Sequence, residues 1–437
     1  MLDAEVRADP VLLEPLRTTS WKFYVLIAIL GSIVAWGVYA YSWQLRTGLS
    51  MTGLNDRVSW GVYISNFVFF IGISHAGTLI SAILRVTHAE WRRPITRMAE
   101  SITVMAIIVG AAFPLIDLGR PDRFLNIFLY GRLESAILWD FISIATYLAG
   151  SLLYLYLPMI PDLAIVRRQV LTGRLRSFLY RRLGRGWTGT AIQKRSLEKS
   201  IGMMAIIIIP VAISVHTVVS WIFGMTLRVG WHSAIFGPYF VAGAIFSGIA
   251  TILIAMAIFR RVYHLEKYIT LQHFRKLGAL LLVLDLIMIY FTLSEYLTAA
   301  YGSESQDVIW LQVLLEGPYA LMFWGMIGAG FILPAILLVS RRSIWQIVTA
   351  AVLVDVAMWM ERFLIVVPSM VTPQMTFSWN QYSPSWVEWS ITAAAFAGFA
   401  LLYALFSKFF PIISMWEVSE GALEAAEPEP AIEGTTA

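Results

Sequence analysis

The chain has 437 residues, of which 58% are hydrophobic and 14% charged, and its formal net charge at pH 7 is +4. Its mean hydropathy of +0.71 lies far from the balance of a soluble globular domain. The basic residues lie in loops between apolar runs, where orientation in a membrane explains them better than nucleic-acid binding does. Cysteine is absent, which excludes disulfides, thiolate-ligated iron–sulfur clusters and thioether-linked haem within this chain. The composition therefore predicts an all-α, polytopic membrane protein.

Apolar windows of roughly 20 residues recur along almost the whole chain, and each can cross the hydrocarbon core of a bilayer as a helix. Tryptophan and tyrosine are frequent at the ends of these windows, as in an interfacial belt. The sequence thus predicts about ten spans. They lie at 22–43, 58–84, 97–118, 133–157, 201–224, 237–260, 277–301, 317–340, 344–367 and 386–408.

Most of the 32 lysine and arginine residues lie in the N-terminal segment, in the loops after spans 2, 4, 6 and 8, and at the C-terminal end. Because positively charged loops stay in the cytoplasm, both termini are predicted to be cytoplasmic. We divide the chain into a cytoplasmic segment 1–21, a transmembrane domain 22–410 and an acidic cytoplasmic tail 411–437. The tail is expected to be disordered or to bind a partner.

Spans 2 and 6 share a short pattern of aromatic residues and glycine. It consists of Trp60, Gly61, Tyr63, Phe70 and Gly72 in span 2, and of Phe236, Gly237, Tyr239, Phe246 and Gly248 in span 6. As a repeat, the pattern predicts two four-helix bundles, spans 2–5 (58–224) and spans 6–9 (237–367), with spans 1 and 10 peripheral. Alternatively, the Gly-Pro-Tyr sequence merely opens a helix, because it occurs again at Gly317-Pro-Tyr319.

Several ionisable residues fall inside the predicted spans. A charged group in hydrocarbon costs at least ~2.5–3.5 kcal/mol, so each one is a candidate functional residue. The rise per helical residue places one set in the outer half of the membrane, and a second set in the inner half or near the midplane. The outer set is Asp117, Asp140, His216, Glu295, Glu361 and Arg362. The inner set is His75, Glu100, Asp285 and Asp355.

Asp140 and His216 are the predicted catalytic pair. A buried carboxylate and a histidine at one depth suit the oxidation of a quinol, since a base must accept a proton from each hydroxyl. His216 has no second histidine at helical spacing on its own span, which argues against paired haem ligation. The alternatives are an interhelical hydrogen bond for His216 and a helix-dipole interaction for Asp140.

Glu361 and Arg362 are adjacent and point about 100° apart on a helix, so we expect them to pair with different neighbours. Arg362 then needs an acid from another span, either Asp117 or Asp140. A structural clamp between bundles is the alternative. After Asp117, the turn Gly119-Arg-Pro121 ends span 3, and the side chain of Arg120 could turn back to cap helix carbonyls.

The inner set predicts a proton path less strongly. Glu100 lies one turn inside a basic interface and could simply pair with Arg97 or Arg93. The small residues around His75 also allow a packing role. No histidine outside the spans has metal-ligand spacing with another, so no metal site is predicted.

At these residues the chain resembles the NrfD/PsrC family of membrane quinone-reactive subunits and, within it, most closely the ActC type of bacterial alternative complex III. The resemblance rests on sequences in most of the spans. They are Trp60–Phe67, Ser74–Ser81, Leu138–Asp140, Leu157–Leu163, Ser214–Ser220, Gly230–Gly248 and Met358–Phe363, with the Gly-Arg-Pro turn in addition.

The resemblance implies a subunit of the bacterial inner membrane that oxidises menaquinol or ubiquinol near the outer face. Its electrons would pass to an iron–sulfur protein and then to multihaem cytochrome subunits, beside a second NrfD-like membrane subunit. The family's quinol pocket lies in the first bundle, and its acidic and histidine residues correspond to Asp140 and His216, with Asp117 and Arg120 nearby; we add Glu361 and Arg362. Proton translocation through the inner set and Glu295 is a further implication.

Two other classes fit part of the sequence. A proton-coupled transporter would also combine about ten helices, a repeat and membrane carboxylates, but transporters usually break helices at the midplane. Here most glycine and proline signals lie at the ends of spans, with Pro210 and Pro334 as exceptions. A non-catalytic membrane anchor is the third class, in which the buried acids are purely structural.

Overall fold

The computed structural model describes residues 9–170, 173–184, 186–373 and 381–424, so residues 1–8 and 425–437 of the two predicted terminal segments lie outside the described residues. All regular secondary structure in these ranges is helical, which confirms the predicted fold class. We number the ten long helices in chain order. They are α1 Trp21–Thr47, α2 Val62–Val86, α3 Thr96–Asp117, α4 Ala136–Gln169, α5 Ala191–Gly224, α6 Phe236–Val262, α7 Leu271–Gly302, α8 Ala320–Ser340, α9 Ile344–Val371 and α10 Trp386–Phe409.

In the described part of the chain, nine of these helices are long and apolar enough to cross a membrane, and the tenth is α9. Helix α9 has 28 residues, ample for a span, and carries Asp355, Glu361 and Arg362. The helices also extend beyond the predicted spans, most clearly α4 and α5, each of 34 residues. Hydropathy detects only the apolar part of a helix, whereas backbone hydrogen bonding continues into the polar interface.

The helix contacts form two rings of four. Helices α2, α3, α4 and α5 contact one another in sequence, and α5 returns to α2. Helices α6, α7, α8 and α9 do the same, and α9 returns to α6. Helix α2 also contacts α6 and α9, so it joins the two rings, while α1 packs mainly along α10.

Helix α2 is the central element of the fold. Its side chains are almost all buried, whereas α1 exposes large apolar residues such as Trp21, Ile29 and Trp36. Gly77 allows the closest approach of α2 to α3, because a Cβ atom there would lie 2.0 Å from the carbonyl oxygen of Ala99. Such small residues replace hydrophobic burial as the basis of helix association in a membrane.

The two prolines predicted as exceptions lie within helices. Pro210 is inside the continuous helix α5. Pro334 follows a π-helical segment, Met326–Ile332, in the middle of α8. Proline lacks the amide hydrogen that an α-helix needs, and a π segment is a common local adjustment.

The predicted tail is not disordered in its described part. Residues 411–417 are buried against the predicted cytoplasmic end of the first ring, and the helix Met415–Glu424 begins among them. The amide of Trp416 donates to Asp162 Oδ1 over 2.8 Å, and Glu417 is buried beside Arg92, with 3.0 Å between Nη1 and Oε2. The expectation of disorder was wrong here because glutamate content alone ignores burial among arginines.

Candidate functional site

Two histidines meet where the two rings join. His75 on α2 and His216 on α5 are both buried, with ring centroids 4.1 Å apart and ring planes at 60°. Tyr147 on α4 lies against the other side of His75, with centroids 4.8 Å apart. This contact joins a residue of the predicted inner set, His75, to a residue of the predicted outer set, His216.

The hydrogen bonding of His75 is unusual. Its Nδ1 lies 2.7 Å from the carbonyl oxygen of Ile71, and its Nε2 lies 2.7 Å from the carbonyl oxygen of Ala212. A carbonyl oxygen only accepts, and a neutral imidazole has a single N–H group, so only the protonated ring donates to both. Among the described residues, neither ring nitrogen of the adjacent His216 has a hydrogen-bond partner. The pair can therefore hold a proton on His75 and offers a free base on His216.

Arg362 of α9 reaches the same junction from the second ring. Its guanidinium lies over the ring of Phe240, 4.8 Å from the centroid, and interacts electrostatically with His216. Phe240 in turn lies 6.3 Å from the ring of His216. Gly243 makes room for the guanidinium, because a Cβ atom there would lie 2.5 Å from Arg362 Nη2.

Glu361 is the acid that pairs with Arg362. The Nη1 atom of Arg362 lies 3.0 Å from Oε2 of Glu361, and both side chains are only 2% exposed. The expectation that Arg362 takes an acid from another span was wrong, since the long arginine side chain turns back across the helix face to its own neighbour. Tyr239 of α6 also interacts with the Glu361 carboxylate. The pair thus lies within the second ring, on α9 and against α6, and it is not the predicted clamp between the two bundles.

Asp140 lies near the predicted outer end of α4. It is buried, and its Oδ1 atom has no hydrogen-bond partner. The preceding Trp139 contacts Trp221 of α5, with centroids 6.4 Å apart. His216 lies five residues deeper on α5 than Trp221, which is roughly 7.5 Å of helical rise at ~1.5 Å per residue. In the described residues, no hydrogen bond, ion pair or ring contact joins Asp140 and His216.

Asp117 and Arg120 flank the turn that follows α3. Asp117 is the last residue of the helix, and its Oδ1 atom is buried without a partner. Gly119 adopts φ +68°, which reverses the chain. Arg120 is 61% exposed and pairs with Asp122, with Nη2 2.8 Å from Oδ2, so it does not cap the helix. Its hydrogen bonds hold the pKa of the Asp122 carboxyl below its ordinary value.

The candidates for a proton path are dispersed. Glu100 accepts a hydrogen bond from the hydroxyl of Ser81 over 2.7 Å, a partner other than the expected Arg97 or Arg93. Asp285 is fully buried, and neither of its oxygens has a partner. Asp355 accepts from Thr251 over 2.9 Å, and Glu295 lies beside Ser233. Within the described ranges, no hydrogen bond connects one of these acids to another.

Sequence reasoning missed several buried charges. Arg97 pairs with Asp162 of α4 over 2.9 Å, and both side chains are at most 1% exposed. Glu388 at the start of α10 is fully buried and accepts from Tyr382 over 2.6 Å. The signal for Asp162 was available, because it lies within the Leu157–Leu163 motif, but its partner is 65 residues away in sequence.

Glu417 was also missed, because it follows the last predicted span. Burial alone would raise its pKa, but the guanidinium groups of Arg85 and Arg92 hold the pKa of this carboxyl below its ordinary value. Its bond to Arg85 is charge-assisted, as is that to Arg92. These pairs fasten the C-terminal segment to α2 and to the loop that follows it.

In the part of the chain that the structure describes, no three histidine, aspartate or glutamate side chains are grouped to hold a metal ion. The junction of the two helix rings instead holds the two histidines with Arg362 and Glu361, and the other buried acids are dispersed around it. Fold and site together define a multi-pass membrane protein with titratable groups in its apolar interior.

The family described as Polysulphide reductase, NrfD, matches residues 50–374, and the chain belongs to this NrfD family. The chain is 27% identical to a putative dimethyl sulfoxide reductase membrane subunit of Halobacterium salinarum, over 75% of this chain and 73% of the relative. A selenate reductase subunit of Mesobacillus selenatarsenatis is 24% identical over 88% of this chain and 93% of its own. The Hdr-like menaquinol oxidoreductase integral membrane subunit of Archaeoglobus fulgidus is 23% identical over 92% of this chain and 96% of its own. These matches confirm the predicted family and support a redox role in a membrane complex.

Proposed function

We propose that this chain is the quinol-oxidising membrane subunit of a multisubunit quinol:electron-acceptor oxidoreductase of the alternative complex III type. The main support is a pair of buried groups without partners, Oδ1 of Asp140 and both ring nitrogens of His216. Buried polar atoms are almost always hydrogen-bonded, so unsatisfied ones are expected where a ligand supplies the partner. The name of the Archaeoglobus fulgidus relative, a menaquinol oxidoreductase subunit, supports a quinol as that ligand, and we propose menaquinol or ubiquinol.

Oxidation of a quinol releases two protons with two electrons, so the protein must accept a proton from each hydroxyl. In our proposal Asp140 accepts one proton and His216 accepts the other. His75 lies directly behind His216 and can take the proton further, because its protonated ring donates to two carbonyl oxygens. The positive charge of Arg362 stabilises negative charge that develops on the adjacent ring oxygen.

The remaining parts of the proposal concern the complex. The electrons pass to an iron–sulfur protein at the outer face and on to multihaem cytochrome subunits, with a second NrfD-like membrane subunit alongside. The chain itself binds quinol and membrane lipids but no metal, haem or iron–sulfur cluster. It lies in the bacterial inner membrane with both termini in the cytoplasm. Proton translocation would use His75 and the acids Glu100, Asp285, Glu295 and Asp355; Asp117, Arg120 and Glu361 would complete the surroundings of the quinol.

The test is quinol oxidation by the purified complex carrying Asp140→Asn or His216→Ala. We expect each variant to lower kcat by about 10²-fold, the lower end of what a positioned general base contributes. Glu134→Gln is the matched control for Asp140→Asn, because Glu134 is an exposed acid shortly before α4, and it should leave kcat unchanged. The composition of the complex, measured on the same preparations, separates loss of catalysis from loss of assembly.

The alternatives predict different results. If the chain is only an anchor, Asp140→Asn and His216→Ala retain full activity in an intact complex. If it is a proton-coupled transporter, the purified chain carries a solute without partner subunits and oxidises no quinol. Either result contradicts the proposal.

A further inference from the structure

A cavity lies on the opposite face of α2 from the histidine pair. It has a volume of about 360 Å³ and is formed between α2, α6, α9 and α10. Ile73 lines it, and His75, two residues on, points about 200° away around the helix at 100° per residue. The cavity is therefore separated by α2 from the groups assigned to quinol oxidation.

The walls of this cavity are aromatic. Phe396 of α10 lies between the rings of Phe69 and Phe70, with centroid distances of 5.7 Å and 5.0 Å. Trp359 and Phe399 also line the space. Phe396 and Val356 are 39% and 52% exposed, and since both lie within spans, the cavity is open toward the bilayer.

One polar group faces these rings. The Oδ2 atom of Asp355 accepts from the hydroxyl of Thr251 over 2.9 Å, but Oδ1 is buried and has no hydrogen-bond partner. An acyl chain would leave that oxygen unsatisfied, which costs at least ~1–3 kcal/mol. A flat ring with a hydroxyl or carbonyl oxygen would satisfy it and stack against the aromatic walls.

We propose that this cavity, lined by Phe69, Thr251, Asp355, Trp359 and Phe396, binds the ring of a second molecule of the lipid-soluble quinone or quinol. The inference extends the proposed function, because it assigns a second site for the same class of molecule. Asp355 donates to a carbonyl oxygen when protonated and accepts from a hydroxyl when ionised. The second site loads from the bilayer and needs no redox step.

A photoreactive azidoquinone tests the inference on the purified complex, with the labelled peptides identified by mass spectrometry. We expect one adduct on α4 or α5 near Asp140 and His216, and a second on the segments that line the cavity. Val356→Trp should fill the cavity and lower the second adduct by about tenfold, with the first unchanged. Val352→Trp is the matched control, because Val352 is exposed one turn away on α9 and does not line the cavity.

A second variant, Asp355→Ala, removes the polar group without adding bulk and should also lower the second adduct. An excess of unlabelled quinone should displace the label, whereas an excess of phosphatidylglycerol should not. Label near Asp140 without label in the cavity overturns the second site and leaves the proposed function standing. Label in neither place contradicts both, and displacement by phospholipid identifies the cavity as an ordinary lipid site.

Discussion

The two ends of the first helix ring differ in whether their buried ionisable groups have partners. At the predicted cytoplasmic end, Arg97 pairs with Asp162, and Glu417 pairs with Arg85 and Arg92. Toward the middle and the outer end, Asp140 Oδ1 and both nitrogens of His216 have no partner. Paired charges hold segments together, whereas unpaired groups are retained at a cost and call for a functional explanation.

Among substitutions that test this contrast, the largest expected loss of stability is at the pair Arg97–Asp162. Arg97→Met would leave the Asp162 carboxylate buried without its main partner, which typically costs about 3–5 kcal/mol in the free energy of unfolding. The variant complex should melt at a clearly lower temperature. The double variant Arg97→Met, Asp162→Leu should recover much of the loss, because it leaves no charge unpaired. Equal melting temperatures for the single variant and the wild type would contradict a structural role for the pair.

A smaller effect is expected at Glu417, whose partners are 10–14% exposed on their side chains. Glu417→Gln should release the C-terminal helix, at a cost of about 1.5–3 kcal/mol for hydrogen bonds to charged groups. The chain has no cysteine, so Ser419→Cys can be labelled alone with a maleimide. Labelling should be faster in the Glu417→Gln background; an unchanged rate would mean that these bonds do not hold the segment.

The same contact gives a pH dependence. The pKa of Glu417 is below its ordinary value of 4.5 in the folded protein, so its contribution is present above that value and is lost as the pH falls through the folded pKa. The rate of maleimide labelling of Ser419→Cys, relative to a denatured control, should therefore stay low from neutral pH down to about 5. This relative rate should rise only in stronger acid, where protonation of Glu417 releases the helix. The denatured control corrects for the change of thiol reactivity with pH.

The smallest effect on stability is expected at Asp285, where both oxygens are buried without partners. Asp285→Asn removes no hydrogen bond or ion pair of the described structure, so the free energy of unfolding should change by less than about 1 kcal/mol, in the stabilising direction. Melting curves of the complex check this. A large loss of stability would show that Asp285 is structural, and the contrast between paired and unpaired charges would fail there.

The sequence predicted the membrane class, the helix count and most helix positions, because each depends on local hydropathy. It also singled out His75, His216 and Asp140, because ionisable residues stand out in apolar runs. It did not predict that His75 and His216 touch, since their contact depends on the rotation and tilt of α2 and α5. The pairing of Arg362 with Glu361 was disfavoured by a helical-wheel argument that ignored the reach of a long side chain.

The docked C-terminal segment shows a second limit of local reasoning. Its glutamates predict disorder when they are counted alone. Glu417 is buried because three arginines, Arg85, Arg92 and Arg93, face it from more than 300 residues earlier in the chain. Only the folded arrangement of α2 and the loop after it brings those charges together.

The contact at Gly77 has a mechanical consequence. A carbonyl oxygen occupies the space where any other residue would place its first side-chain carbon, and the hydroxyl of Thr103 lies 2.3 Å from that same position. Helices α2 and α3 are thus in close contact at Gly77, through the backbone of Ala99 and the hydroxyl of Thr103. A rearrangement of the interior must therefore move α2 and α3 together. Relative motion between helices is expected at other contacts of the bundle.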